Sequence, residues 1–128
     1  MNTRFDELVK TLGLEPHPMG GFFRKQTLPE EGDGRHGLTG STLLLLSAEH
    51  PYTSSKAHTA ERWMHHQGAP VTVVLRRHRA DGPGEARVLG QDADHLFQIA
   101  VGAGSYREFH VMEGEEKFAL LGCLPIEA

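Results

Sequence analysis

The spacing of apolar residues predicts a single helix near the start of the chain. The apolar positions at helical spacing are Phe5, Leu8, Val9 and Leu12. Gly13 follows directly and is typical of a helix end, because glycine adopts left-handed backbone conformations without steric cost. Pro16 and Pro18 exclude a continuation, since residues before proline avoid the helical region. We therefore expect one short helix whose apolar face packs on the rest of the fold.

Beyond this helix, the pattern changes to short apolar runs separated by glycine-rich turns. The runs interpreted as strands are residues 22–27, 41–47, 61–68, 71–78, 85–89, 96–101, 106–112 and 117–124. The run 41–47 contains the leucines Leu43–Leu46 and is apolar on both faces, which favours a buried strand. Residues 29–40 and 50–55 are interpreted as irregular. One helix followed by about eight short strands predicts an all-β sandwich or barrel.

The run Glu61–Gly68, with the sequence ERWMHHQG, carries the most informative polar residues. On a strand, alternate side chains share a face, so Glu61, Trp63 and His65 point to the same side. An ideal strand separates Glu61 from His65 by about 13 Å. A carboxylate, an indole and an imidazole on one face suit the wall of a pocket. The alternative is an edge strand whose polar residues face water.

Length and composition narrow the class of protein. A chain of 128 residues with a net charge of −4 is expected to form one domain, residues 1–128. Its most basic stretch, Arg76 to Arg79, is interpreted as a solvated strand end, so no nucleic-acid partner is expected. Leu43–Leu46 is too short to cross a bilayer, so no membrane association is expected. The N-terminus has no apolar stretch of the kind that directs secretion, and the one cysteine forms no intrachain disulfide. The expected compartment is the cytoplasm.

Several motifs occur in the order of a known family. They are LGLEPHPMGGFFRKQT from Leu12, STLLLL from Ser41, ERWMHHQGAPVTVVL from Glu61, LFQIAVGAGSY from Leu96 and FALLGC from Phe118. Together they resemble the small cupins of the DUF985 group, also called cupin-5. The resemblance implies a double-stranded β-helix, the jelly-roll cupin barrel, with one short N-terminal helix. It also implies a homodimer, which the apolar residues on both faces of the strand 41–47 favour independently.

Many cupins bind a metal ion through histidines and a glutamate, and the resemblance places that glutamate at Glu61. The positions implied for the histidines hold Ser55, Ala57 and Arg107 instead. His58 is near this place but in the wrong register. We therefore expect no metal ligands and no cofactor.

The pocket residues follow from strand alternation within the implied barrel. The candidate catalytic residues are His65, Glu61 and His58, and the candidate ligand-binding residues are Arg24, Trp63, Gln98 and Tyr106. Glu61 and a histidine offer acid and base functions near neutral pH, Arg24 offers an anchor for an anion, and Trp63 offers a flat face for a ring. The structural alternatives are that Trp63 fills the barrel, that Arg24 pairs with Glu61 and that His65 bonds a backbone carbonyl.

The predicted function is binding of a small, ring-containing, anionic metabolite. The favoured activity is that of a metal-independent isomerase, epimerase or cyclase, which the resemblance implies because related cupins move protons without metal. One alternative is a cupin that binds a small molecule without turnover, as a sensor or carrier. A weaker alternative is a metal-dependent cupin enzyme.

Overall fold

The structure, a computed structural model, describes residues 3–26, 41–77, 79, 82–112 and 117–125. Its elements are α1 (Thr3–Leu12), β1 (Glu15–Pro16), β2 (Phe22–Gln26), β3 (Ser41–Ser47), β4 (Tyr52–Lys56), β5 (Glu61–Gly68), β6 (Val71–Arg76), β7 (Gly84–Leu89), β8 (Gln98–Val101), β9 (Tyr106–Val111) and β10 (Phe118–Pro125). Within these ranges, no helix has the length and apolar character that a membrane span needs.

The strands form two antiparallel sheets with the main core between them. The large sheet has the order β1-β2-β3-β10-β5-β8, and the small sheet has the order β4-β9-β6-β7. Inward-facing residues of both sheets build the core, including Leu44, Leu121 and Trp63 from the large sheet and Val73 and Phe109 from the small one. Strands β5, β6, β8 and β9 alternate between more and less buried positions, as the period of two predicts, whereas β3 and β10 have runs of consecutive buried residues.

The predicted strands are confirmed within a few residues of their ends, and two further strands are present. Glu15–Pro16 pairs with β2. Tyr52–Lys56, which the sequence indicated as irregular, pairs with β9 as an edge strand of the small sheet. Its stretch from Thr53 to Ser55 has no apolar residue, so only the partner strand reveals it as extended. The predicted loop 29–40 lies outside the described residues.

Helix α1 packs on the outer face of the large sheet, as predicted. Its buried residues join a second apolar cluster made of Phe5, Leu8, Leu14, Leu45, Phe118 and Leu120, with Val9 and Leu12 at the margin. Leu14 N–H donates to the Val9 carbonyl at 2.9 Å, and Gly13 N–H donates to the Lys10 carbonyl at 3.3 Å. With Gly13 at φ +65°, this is a Schellman end for the helix.

The position of α1 corrects one argument about the leucine-rich strand. Leu44 and Leu46 face the main core, whereas Leu45 faces α1 and is fully buried. The apolar outer face of β3 is therefore covered within the chain. It supplies no reason for a dimer, and the homodimer stays a prediction on other grounds.

Candidate functional site

An ion pair between Glu61 and Arg107 lies between the two sheets. Glu61 is the first residue of β5, and Arg107 lies near the start of β9. The Arg107 Nε atom is 2.8 Å from Glu61 Oε1, and an Nη2–H group donates to Oε2 at 3.1 Å. Their side chains are only 8% and 15% exposed. Both carboxylate oxygens are thus engaged by one guanidinium in a largely dry place, where such a pair is stronger than at the surface.

Aromatic side chains frame this ion pair. The Trp63 indole Nε1–H donates to Glu61 Oε1 at 3.0 Å. The Arg107 guanidinium carbon lies 5.7 Å from the Tyr52 ring centroid and 6.0 Å from that of Trp63. Phe109 packs against Trp63 with 4.6 Å between the ring centroids. These contacts hold the guanidinium in place and add cation–π attraction.

His17 completes the cluster from the turn between β1 and β2. Its ring lies 4.6 Å from the Phe23 ring and 5.1 Å from the Tyr52 ring. The Met19 backbone N–H donates to His17 Nδ1 at 2.9 Å, so the neutral ring carries its proton on Nε2. Burial, followed by the positive charge of Arg107, lowers the pKa of His17 below its ordinary value. His17 is therefore a neutral imidazole with an Nε2–H donor at pH 7.

A cavity of about 1040 Å³ lies near the ion pair, although neither Glu61 nor Arg107 is among its lining residues. Its lining residues are Lys56, Leu75, Arg77, Arg79, Gly82, Pro83, Gly84, Glu85, Ala100, Gly102, Ala103, Gly104 and Ser105. Leu75 is the cross-strand neighbour of Arg107, and Val101, the neighbour of Glu61, directly precedes the lining residue Gly102. The cluster itself is packed, so the space for a ligand is next to the ion pair and not within it.

Comparisons with known proteins identify the family. The family described as "Cupin superfamily (DUF985)" matches residues 6–126. The chain belongs to the DUF985 cupins. A solved structure from Shewanella oneidensis has a TM-score of 0.77 and 25% identity, covering 100% of this chain and 80% of that one. A hypothetical protein from Leishmania major has a TM-score of 0.75 and 21% identity, covering 94% and 79%.

A more distant likeness extends to other cupins. A cupin 2 conserved barrel domain protein from Rhodopseudomonas palustris has a TM-score of 0.57 and 9% identity, covering 89% of this chain and 67% of that one. Comparison with curated protein sequences found no match. The resemblance and the jelly-roll cupin barrel expected from the sequence are thus confirmed, whereas these likenesses carry no statement about a ligand.

The residues of this DUF985 cupin do not fit a cupin metal site. Both oxygens of Glu61 already contact the Arg107 guanidinium, and Oε1 also accepts the hydrogen bond from Trp63. Ala57 is buried where a ligand histidine is implied, and Arg107 brings a fixed positive charge to another such position. Asp92, Asp94 and His95 come within ligand distance of one another, but both aspartates are exposed on the β7–β8 connection.

Among the predicted site residues, the structure brings Glu61 and Trp63 together and places His65 elsewhere. All three share the inner face of β5, as predicted. His65 is only 9% exposed, and its Nε2 lies 2.8 Å from the Ala69 carbonyl, to which it must donate. Its contacts thus follow the structural alternative, a bond to a backbone carbonyl at the opposite end of the strand from Glu61.

The remaining predicted site residues lie outside the cluster. Arg24 points to the outer side and donates to the Leu12 carbonyl at 3.0 Å, at the end of α1. His58 is exposed in the β4–β5 connection, and Gln98 is exposed on the edge strand β8. Tyr106 adjoins Arg107 in the chain and so faces the other side of β9.

Sequence reasoning missed Arg107, His17 and Tyr52 as members of the site. The sequence did contain an indication of Arg107. It occupies a position where the resemblance implies a metal-ligating histidine, and it supplies a positive charge that can pair with Glu61. His17 belongs to the segment HPMGGFF, which carried the family resemblance. Tyr52 lies in the strand that was interpreted as irregular, so its inward direction could not be inferred.

Proposed function

We propose that this DUF985 cupin binds a small anionic metabolite in the cavity beside the Glu61–Arg107 pair. The observation that carries the proposal is a roomy cavity whose wall adjoins an almost buried, aromatic-framed guanidinium. Lys56, Arg77 and Arg79 also line this cavity, so its charge favours an anion. A pocket of several hundred cubic ångströms with a few placed charges is typical of small-molecule sites.

We do not propose a ring in the ligand, because that prediction depended on a free face of Trp63. Trp63 is only 3% exposed and is packed by Phe109 and Tyr52. Its indole serves Glu61 and Arg107 and has no free face for a ligand. We therefore propose only that the ligand is an anion, and not what its carbon skeleton is.

A thermal-shift screen of small carboxylates and phosphate esters tests this proposal. A ligand at about 100 times its Kd adds about 2.7 kcal/mol to the free energy of unfolding, which raises Tm by several degrees in a domain of this size. We expect such shifts in the wild type and their loss in Arg107→Met. Arg4→Met, on the exposed face of α1, is the matched control and keeps them. Equal shifts in wild type and Arg107→Met would contradict the proposal.

Proton-transfer catalysis without metal, as in an isomerase, epimerase or cyclase, is a second candidate function. Glu61 favours it, because its side chain is 15% exposed and so is not fully enclosed by the ion pair. His17 does not favour a role as the base, because its Nδ1 accepts the hydrogen bond of the Met19 N–H. Once a substrate is known, the enzyme should show a pH-dependent rate that collapses in Glu61→Gln. A binding protein keeps most of its affinity in that variant and consumes nothing.

A further inference from the structure

The cavity beside the Glu61–Arg107 pair has a cationic lining in a chain whose net charge is −4. Lys56, Arg77 and Arg79 contribute three cations, and Glu85 contributes the one carboxylate among the described residues that line it. Arg87, which does not line the cavity, pairs with Glu85 at 3.0 Å. No ion pair joins Glu85 to Lys56 or Arg77 among the described residues.

Lys56 and Arg77 carry the strongest indication of a ligand. Within the part of the chain that the structure describes, neither side chain has an ion-pair or hydrogen-bond partner. Other arginines of the small sheet are paired: Arg76 with Glu108 at 3.1 Å, and Arg107 with Glu61. Both residues line the cavity and both are exposed, so cations without counter-ions there raise the local concentration of anions.

Hydrogen bonds brace the described backbone near both cations. Arg76 Nε–H donates to the Gly82 carbonyl at 3.0 Å, which ties Gly82 to the last residue of β6, next to Arg77. On the other side, the Gly104 N–H donates to the Ala57 carbonyl at 2.7 Å, directly after Lys56. Charged groups on a braced backbone lose less conformational entropy when a ligand binds.

The backbone of residues 102–105 adds neutral donors to the same wall. The Gly104 and Ser105 N–H groups are used within the fold, whereas those of Gly102 and Ala103 donate to no group among the described residues. Gly104 has φ +87°, and a side chain there would meet nothing within 4 Å. Successive backbone N–H groups at such a glycine turn suit the oxygens of an anion.

We propose that this cavity is a phosphate site that takes the phosphoryl group of the metabolite. The proposal rests on the proposed function, because it assigns the anionic end of the same ligand. A phosphate dianion matches two uncompensated cations in charge, whereas a single carboxylate does not. Its several oxygens also match an ammonium, a guanidinium and the backbone donors at once.

Titration of the ¹⁵N-labelled protein with inorganic phosphate, at constant ionic strength and near pH 8, tests this site. We expect saturable shifts of the amide resonances of Gly102, Ala103 and Arg77. In the double variant Lys56→Gln/Arg77→Gln, the Kd for phosphate should rise at least about tenfold, since each lost charge weakens the attraction. The control Arg4→Gln/Lys10→Gln changes the net charge equally on the exposed face of α1 and should keep the wild-type Kd.

The outcomes separate the phosphate site from the proposed function. Non-saturable shifts in the wild type, or an equal Kd in the Lys56/Arg77 double variant, would overturn the phosphate site. If carboxylates still stabilise the wild type but not Arg107→Met, the proposed binding of an anion stands even though the phosphate site is wrong. A wild-type Tm and amide spectrum in the double variant show that any loss of binding is not a loss of folding.

Discussion

At the scale of single residues, Arg107 determines what the site can do. A guanidinium is a permanent cation with a fixed fork of donors, and here it takes both oxygens of Glu61. It stands where the cupin resemblance implied a metal-ligating histidine. Arg107 thus places a positive side chain where many cupins bind a metal ion.

The stability of the Glu61–Arg107 pair gives a first prediction. Glu61→Gln should lower the free energy of unfolding by about 2–4 kcal/mol, because the buried Arg107 then loses the negative charge of Glu61. The double variant Glu61→Leu/Arg107→Met should recover most of that loss. Urea unfolding measures the stability of both variants and of the control Glu85→Gln. The control removes the exposed pair with Arg87 and should change stability by less than about 1 kcal/mol. Equal effects of Glu61→Gln and Glu85→Gln would contradict the strength assigned to the pair.

His65 gives a second prediction, which distinguishes a structural from a chemical role. His65→Phe removes the donor to the Ala69 carbonyl and should cost about 1–3 kcal/mol of stability, since that oxygen is left buried without a partner. Ligand affinity, and turnover if there is any, should not change. Exposed His58→Gln is the control for stability. If His65→Phe keeps its fold but loses ligand affinity or rate by orders of magnitude, His65 belongs to the functional site and the structural role is wrong.

At the scale of elements, the sequence predicted the strands that have their own apolar pattern. It placed α1, the leucine-rich strand and the inward face of β5, because helix and strand periods are local properties. It missed β4, because residues 53–55 are polar and only the pairing of Tyr52, Ser55 and Lys56 with β9 shows that the segment is a strand. Which side chains come together across the barrel depends on how distant strands pair. The sequence therefore did not predict that Tyr52 and Arg107 lie close to Glu61. Arg24 illustrates the same limit, because only the position of α1 shows that it faces the helix end.

The turn that carries His17 gives a prediction about pH. The pKa of His17 is lowered in the folded protein, so the unfolded chain binds more protons between the folded pKa and about 6.5. Stability is therefore fully present above about pH 6.5 and falls as the pH drops toward the folded pKa. His66, whose pKa is lowered mainly by burial, acts in the same direction.

Urea unfolding between about pH 7.5 and pH 5.5 measures this effect. His17→Asn keeps an acceptor for the Met19 N–H but does not titrate, so its stability should depend less on pH than that of the wild type. A pH dependence identical to that of the wild type would show that His17 is not held neutral by its surroundings.

At the scale of the whole molecule, the homodimer remains a prediction without support from β3. Leu96, Phe97 and Met112 are the exposed large apolar residues among those described, and Phe97 is 62% exposed. Light scattering at micromolar concentration should give about twice the chain mass of 14.1 kDa. A mass near that of one chain would exclude the dimer.

The central claim is that an anion binds beside the Glu61–Arg107 pair, and the single tryptophan of the chain is its reporter. The Trp63 indole N–H donates to Glu61, so any ligand that draws on Arg107 must change the surroundings of that proton. The most direct measurement is the Trp63 indole resonance in a ¹⁵N-labelled sample during titration with the anions found by the thermal-shift screen. We expect a saturable shift with the same Kd as the stabilisation, and no shift in Arg107→Met. Anions that stabilise the protein while the indole resonance stays unchanged would contradict the claim.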